Sequence, residues 1–265
     1  MSRLNLDIGE CIYCGSVEPP LTREHVLPRG LGGVWTPEEH GVALVLQKAT
    51  CEPCRQITQK IEEVCLRPMM DAGRARLDLK RKDRNKGKMV ALIDRPDGSS
   101  ERLEVNSNEM LGAIVLPSYY EAGALMNRPR TDTAPCDYRF IVVAPASQRL
   151  LQQSRRVGVS FTANSKTFAQ MLAKIALGVA VSKFGVSGFE PLVRNFILKN
   201  PNEGGHWVGG FAGTQWKEPP SQALHRIHLQ TVNANAGVFI IVEIRLFAEF
   251  GGPTNYVVVG RPIER

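Results

Sequence analysis

Glu10-Cys11-Ile12-Tyr13-Cys14-Gly15 and Cys51-Glu52-Pro53-Cys54, with 36 residues between Cys14 and Cys51, are the stretches that decide how this chain is read. Each carries a Cys-x2-Cys claw, which puts two sulfurs on one side of a turn or of a first helical turn. Residues 1–10 hold no apolar run of signal-peptide length, which predicts a cytoplasmic protein. In that setting two claws read as one tetrahedral thiolate site for Zn²⁺, not as two disulfides. A redox pair would need only one claw. Cys65 and Cys136 have no partner at ligand spacing and read as buried thiols.

Working outward, residues 22–26 and 42–46 read as short strands around the turn Gly30-Leu31-Gly32-Gly33. The second claw opens a helix. Thr50 is its expected cap, Glu52 and Pro53 suit its first turn, and Ile57, Ile61, Val64 and Cys65 recur at helical spacing. Pro68 should end or kink it. So small a unit lacks a core of its own, so a metal clamp is expected to hold it together.

With these residues in place, the segment resembles the HNH endonuclease superfamily. The matching residues are Cys11-Ile-Tyr-Cys14-Gly, then Leu21-Thr-Arg-Glu24-His25-Val-Leu-Pro28, then Leu31-Gly-Gly33, then Ala49-Thr-Cys51-Glu-Pro-Cys54. The resemblance covers residues 9–68. It implies a ββα-metal fold, a structural zinc on Cys11, Cys14, Cys51 and Cys54, and metal-dependent cleavage of nucleic acid. The family's general base falls on His25, whose neutral imidazole can take a proton from water near pH 7. The family's ligand of a catalytic Mg²⁺ or Mn²⁺ falls on Glu24. Neighbouring strand residues face opposite sides, so Glu24 and His25 can serve one phosphate only where the strand twists or bulges.

One position departs from the pattern. The family places a histidine or asparagine after the last claw cysteine as a second ligand of the catalytic ion; here stands Arg55. A guanidinium has no lone pair for a metal. Three alternatives follow: Arg55 binds phosphate itself; Thr58 or Gln59, three and four residues on, supplies the ligand; or the module binds DNA without cutting it. His40 is the candidate for the family's middle residue.

The chain carries a net charge of +7. Residues 67–88 hold nine basic and three acidic residues, a net of +6 in 22 residues. Beside a nuclease-like module, Lys80, Arg81, Lys82, Arg84, Lys86 and Lys88 are expected to neutralise DNA phosphates, with little sequence readout and strong salt dependence. Few aromatics are interleaved, which argues against a stacking platform for single strands.

The remaining composition, 43% apolar and 22% charged over 265 residues, excludes a disordered or coiled-coil chain. No run of 18 apolar residues occurs, so no membrane span is expected. Residues 88–94 and 102–106 read as a hairpin and 138–144 as a strand. Residues 165–184 read as a helix capped by Ser165, with Phe168, Leu172, Ile175, Val179 and Ala180 on one face and Gly185 as its stop. Residues 189–198 read as a shorter helix, 204–213 as a glycine-rich loop, and 223–232, 237–248 and 255–259 as a final sheet. His206, His225 and His228 read as structural. The expectation is therefore an α+β chain: a zinc-bound ββα-metal module with a basic extension over 1–88, then an α+β domain with a mainly antiparallel sheet over 105–265. That second region would sense a ligand, recruit a regulatory partner or form a homo-oligomer. The leading expectation is a metal-dependent endonuclease acting on DNA. The alternatives are a degenerate module that only binds DNA, and a regulatory protein whose zinc module is purely structural.

Overall fold

A computed structural model describes residues 3–32, 43–80, 87–129, 135–210 and 222–263. The fold is mixed α+β with several antiparallel sheets. It begins with strands β1 (Arg3–Asp7), β2 (Leu21–His25) and β3 (Ala43–Cys51), which runs directly into helix α1 (Glu52–Leu66). β3 is the central strand, parallel to β1 and antiparallel to β2. It extends to Cys51, well past the expected 42–46. The register shifts between Thr22 (opposite Thr50) and Glu24 (opposite Leu46), and Lys48 adopts a left-handed φ of 47° in the bulge. The bulge thus lies beside Arg23, just ahead of the Glu24–His25 pair, which itself keeps regular register.

Cys51, not Thr50, precedes the first turn of α1 in extended conformation, with no side-chain cap. Thr50 is still strand, fully buried, and its hydroxyl donates to Glu24 Oε2 at 3.0 Å. The buried stripe of α1 is Cys54, Thr58, Ile61 and Cys65, while Ile57 is exposed. Cys54 must face the other sulfurs, and the helical period carries the stripe on from there. Cys65 is a buried free thiol, as expected; the side chain of Cys136 lies outside the described residues.

A short helix, α2 (Asp71–Arg76), follows within the basic run. Arg74 is buried there, donating from Nε to Gly30 O at 2.7 Å and from Nη1 to Leu66 O at 3.0 Å. A Cβ at Gly30 would lie 2.7 Å from Leu66 and 2.8 Å from Arg74. A larger residue there would have to displace the ends of those two side chains.

Strands β4 (Lys88–Asp94) and β5 (Ser100–Asn106) form the expected hairpin. β6 (Gly112–Tyr119) pairs with β7 (Pro135–Ala144); α3 (Gln148–Gln153) and β8 (Arg156–Gly158) follow, β8 pairing with β4. Helix α4 (Ser165–Phe184) has the expected bounds, but Asn164 caps it, its Oδ1 accepting from Thr167 N at 3.0 Å. It is buried all round from Phe168 to Val181, not on one face. It is long and apolar enough to cross a membrane by length and composition, but it is mostly covered by the rest of the fold.

Residues 189–198 divide into strand β9 (Phe189–Pro191) and helix α5 (Arg194–Leu198). α6 (Gly204–Trp207) and β10 (Val208–Gly210) replace the start of the expected glycine loop. β11 (Arg226–Ala234), β12 (Gly237–Arg245) and β13 (Thr254–Pro262) complete an antiparallel sheet ordered β10-β13-β12-β11, with β9 also on β13. One hydrophobic core joins Cys11, Ile12 and Tyr13, α1, α4 and the strands of this last sheet. A second, small cluster gathers Ala91, Ile93, Val105, Met110 and Leu150 under the hairpin. Residues 1–88 and 105–265 thus share a core, and α4 lies at its centre.

Candidate metal centre and cationic cavity

The four claw sulfurs converge: those of Cys11, Cys14, Cys51 and Cys54 all lie within 4.8 Å of one another, with Cys14 and Cys51 at 3.6 Å. A tetrahedron of sulfurs about 2.3 Å from Zn²⁺ has edges of roughly 3.8 Å, so the group can hold one metal ion such as zinc. Local backbone explains the first claw. Cys11 N donates to Ser16 O at 2.7 Å, Gly15 N donates to Cys11 O at 2.8 Å, and Gly15 takes a φ of +76° that closes the turn. Ile12 N donates to Ala49 O at 2.9 Å, tying the turn to β3, and Arg194 Nε of α5 donates to Ile12 O at 2.8 Å. The second claw is the β3–α1 junction itself. Burial pushes the Cys54 and Cys11 thiols up, so a metal has to displace those protons to bind.

Glu24 and His25 both reach a cavity of about 630 Å³ beside α1. His25 is half-buried, and its Nε2 is buried with no hydrogen-bond partner among the described residues. Burial, and then the positive charges of Arg29 and Arg23, push its pKa down to about 4. The imidazole is therefore neutral at pH 7 and can accept a proton.

Glu24 is placed differently from the expectation. It is buried, and its Oε1 lies 2.5 Å from Nζ of Lys174, in α4. Lys174 also pairs with Glu62 Oε1 at 2.9 Å and donates to the backbone oxygen of His25 at 2.9 Å. Burial opposes the charge on Lys174, but Glu24 and Glu62 outweigh it and hold its pKa above the usual lysine value. Both Glu24 oxygens are thus engaged, one by an ammonium and one by Thr50. Arg55 offers no lone pair; it clamps Glu52, Nε to Oε2 and Nη2 to Oε1, each at 2.7 Å, and donates to Gln59 Oε1 at 3.1 Å. Thr58 is buried and donates to Arg55 O at 3.2 Å. As arranged, these residues do not fit a divalent ion on Glu24. Among the described residues, the cysteines form the one cluster of histidines, cysteines and carboxylates close enough to share an ion.

Of the basic segment, Lys80 and Lys88 line the cavity. Lys88 also pairs with Glu104 at 2.6 Å, and Arg67 with Glu63 at 2.9 Å. Arg81, Lys82, Arg84, Lys86 and His40 lie outside the described residues. Arg23 and Arg29 stand exposed at the cavity on either side of His25, and neither has an ion pair among the described residues. Sequence reasoning missed Lys174, Glu62, Arg23 and Arg29. Arg23 and Arg29 were findable, being in the segment that carries Glu24 and His25. Lys174 reads as one polar interruption of an apolar helix, and nothing local says what it meets. His225 is structural, as expected: its Nδ1 accepts from Phe247 N at 3.1 Å, which leaves Nε2–H to donate to Leu31 O at 2.8 Å.

Compared with protein-family models, curated proteins and solved structures, the chain has no match.

Proposed function

We propose that residues 9–68 form an HNH-type ββα-metal module with a structural zinc on the four cysteines, and that the chain is an endonuclease that holds DNA phosphodiesters in the cavity beside α1. The observation that carries this reading is a neutral His25, its Nε2 unpartnered, lining a cavity together with Arg23, Arg29, Lys80 and Lys88. In this scheme the His25 imidazole takes a proton from water, the hydroxide oxygen bonds to phosphorus, and the 3′ oxygen leaves with its bonding pair and is protonated by solvent. Arg23 and Arg29 neutralise the phosphate as charge builds. Glu24 positions the strand from within. No step passes through a divalent ion.

The test is cleavage of supercoiled plasmid by full-length, zinc-loaded protein, wild type against His25→Ala. Cutting that falls by about 10²-fold or more in the folded variant supports the base assignment. A second reading, DNA binding without cutting, draws on the Glu24–Lys174 pair and on Arg55, which together occupy the usual ion site. A folded wild type that binds DNA with steep salt dependence and leaves it intact selects that reading.

A further inference from the structure

We propose that Lys174 takes the electrostatic place of a divalent cation at Glu24, so that this site neither needs nor binds a catalytic metal ion. An ammonium has three protons to donate and no more. Here all three have an acceptor: Glu24 Oε1 at 2.5 Å, Glu62 Oε1 at 2.9 Å and His25 O at 2.9 Å. That is the ligand set a hard cation would choose, two carboxylates and a carbonyl oxygen. Lys174 is 1% exposed, so it is fixed from within and takes no part in gripping a substrate.

The work of one metal ion is thereby divided. Lys174 neutralises the carboxylates and, through the His25 carbonyl, fixes the backbone that carries the imidazole. Arg23 and Arg29, exposed residues that line the same cavity, are left to meet the phosphate. Arg55 fits the same division: a cation stands where the family has a neutral metal ligand. Lys174 is a positioning residue, and it comes from α4, so the site is incomplete without residues 165–184. The consequence for activity rests on the proposed function, whereas the ion-binding consequence does not.

The experiment is a Mn²⁺ titration followed by electron paramagnetic resonance, on full-length zinc-loaded protein at neutral pH. Wild type should bind no Mn²⁺ at millimolar concentration. Lys174→Met, which leaves Glu24 and Glu62 facing a vacancy, should bind one Mn²⁺ per chain and melt higher when Mn²⁺ is present. Adding Glu24→Gln should abolish both effects. If Lys174→Met does not fold, Lys174→Met/Glu62→Gln, with one buried carboxylate fewer, is titrated with the same expectation. Mn²⁺ bound by wild type and lost in Glu24→Gln would overturn the proposal, as would a folded Lys174 variant that binds none. Plasmid cleavage is run in parallel with and without Mg²⁺ or Mn²⁺, and an equal rate is expected. Absence of cleavage would count against the nuclease reading and leave the titration to decide the role of Lys174.

Discussion

His25 and Glu24 are sequence neighbours with opposite fates. His25 lines the cavity and keeps a buried, unpartnered nitrogen; Glu24 is held by a buried ammonium. Because burial and two arginines hold the imidazole pKa near 4, the acid limb of any His25-dependent rate should fall near pH 4, not at the usual value near 6.5. A pH–rate profile checks this; a limb at the ordinary value would mean that His25 is solvated in the working state. At the claws, Cys54→Ser should take the zinc content from one ion per chain to none, and the melting temperature should fall with it. Elemental analysis and calorimetry together read this out. The claw residues were legible because zinc chemistry fixes both residue type and spacing. Lys174 was not legible, because its partners lie on β2 and α1, more than 100 residues away.

At the scale of elements, periodicity served well where burial is one-sided and poorly where it is not. α4 has the bounds read from sequence, yet its apolar face is only part of a helix buried on every side. Residues 189–198 follow a helical apolar pattern, but the pairing of β9 with β13 takes the first part into a sheet. Caps moved by one residue at both long helices: at α4 the Asn164 side chain accepts from Thr167 N, and at α1 Thr50 stays in β3 with its hydroxyl on Glu24. His225, just ahead of β11, shows how elements are fastened: it joins the turn at Leu31 to the residues after β12. Burial depresses its pKa to about 4. The unfolded chain, titrating near 6.5, therefore binds a proton that the folded chain refuses. Stability should be full above pH 6.5 and fall by about 1.4 kcal/mol per pH unit from this group as the pH drops toward 4. Urea unfolding across that range should show the slope. His225→Gln should be less stable at neutral pH and show a smaller slope.

At the scale of the whole molecule, the four-cysteine module is either a domain or a face of a larger body. Its sequence reads as self-contained, because metal clamps usually serve units that cannot bury a core. The structure gives it three fastenings to later residues instead: Lys174 to Glu24 and the His25 carbonyl, Arg194 to the Ile12 carbonyl in the first claw, and His225 to the Leu31 carbonyl. Gly178 of α4 adds a fourth, since a Cβ there would come within 3.0 Å of Val26, the residue after His25. Residues 1–88 alone would leave Glu24 and Glu62 without their cation and the apolar side of α1 without α4. The fragment 1–88 with zinc should therefore bind metal through its cysteines but fail to give the dispersed amide spectrum of a folded domain, while the full chain gives one. Adding residues 105–265 as a separate chain should restore dispersion if the shared core is what holds the module. A fragment that folds with zinc alone would show that the claws suffice, and that α4 serves the site without supporting the fold.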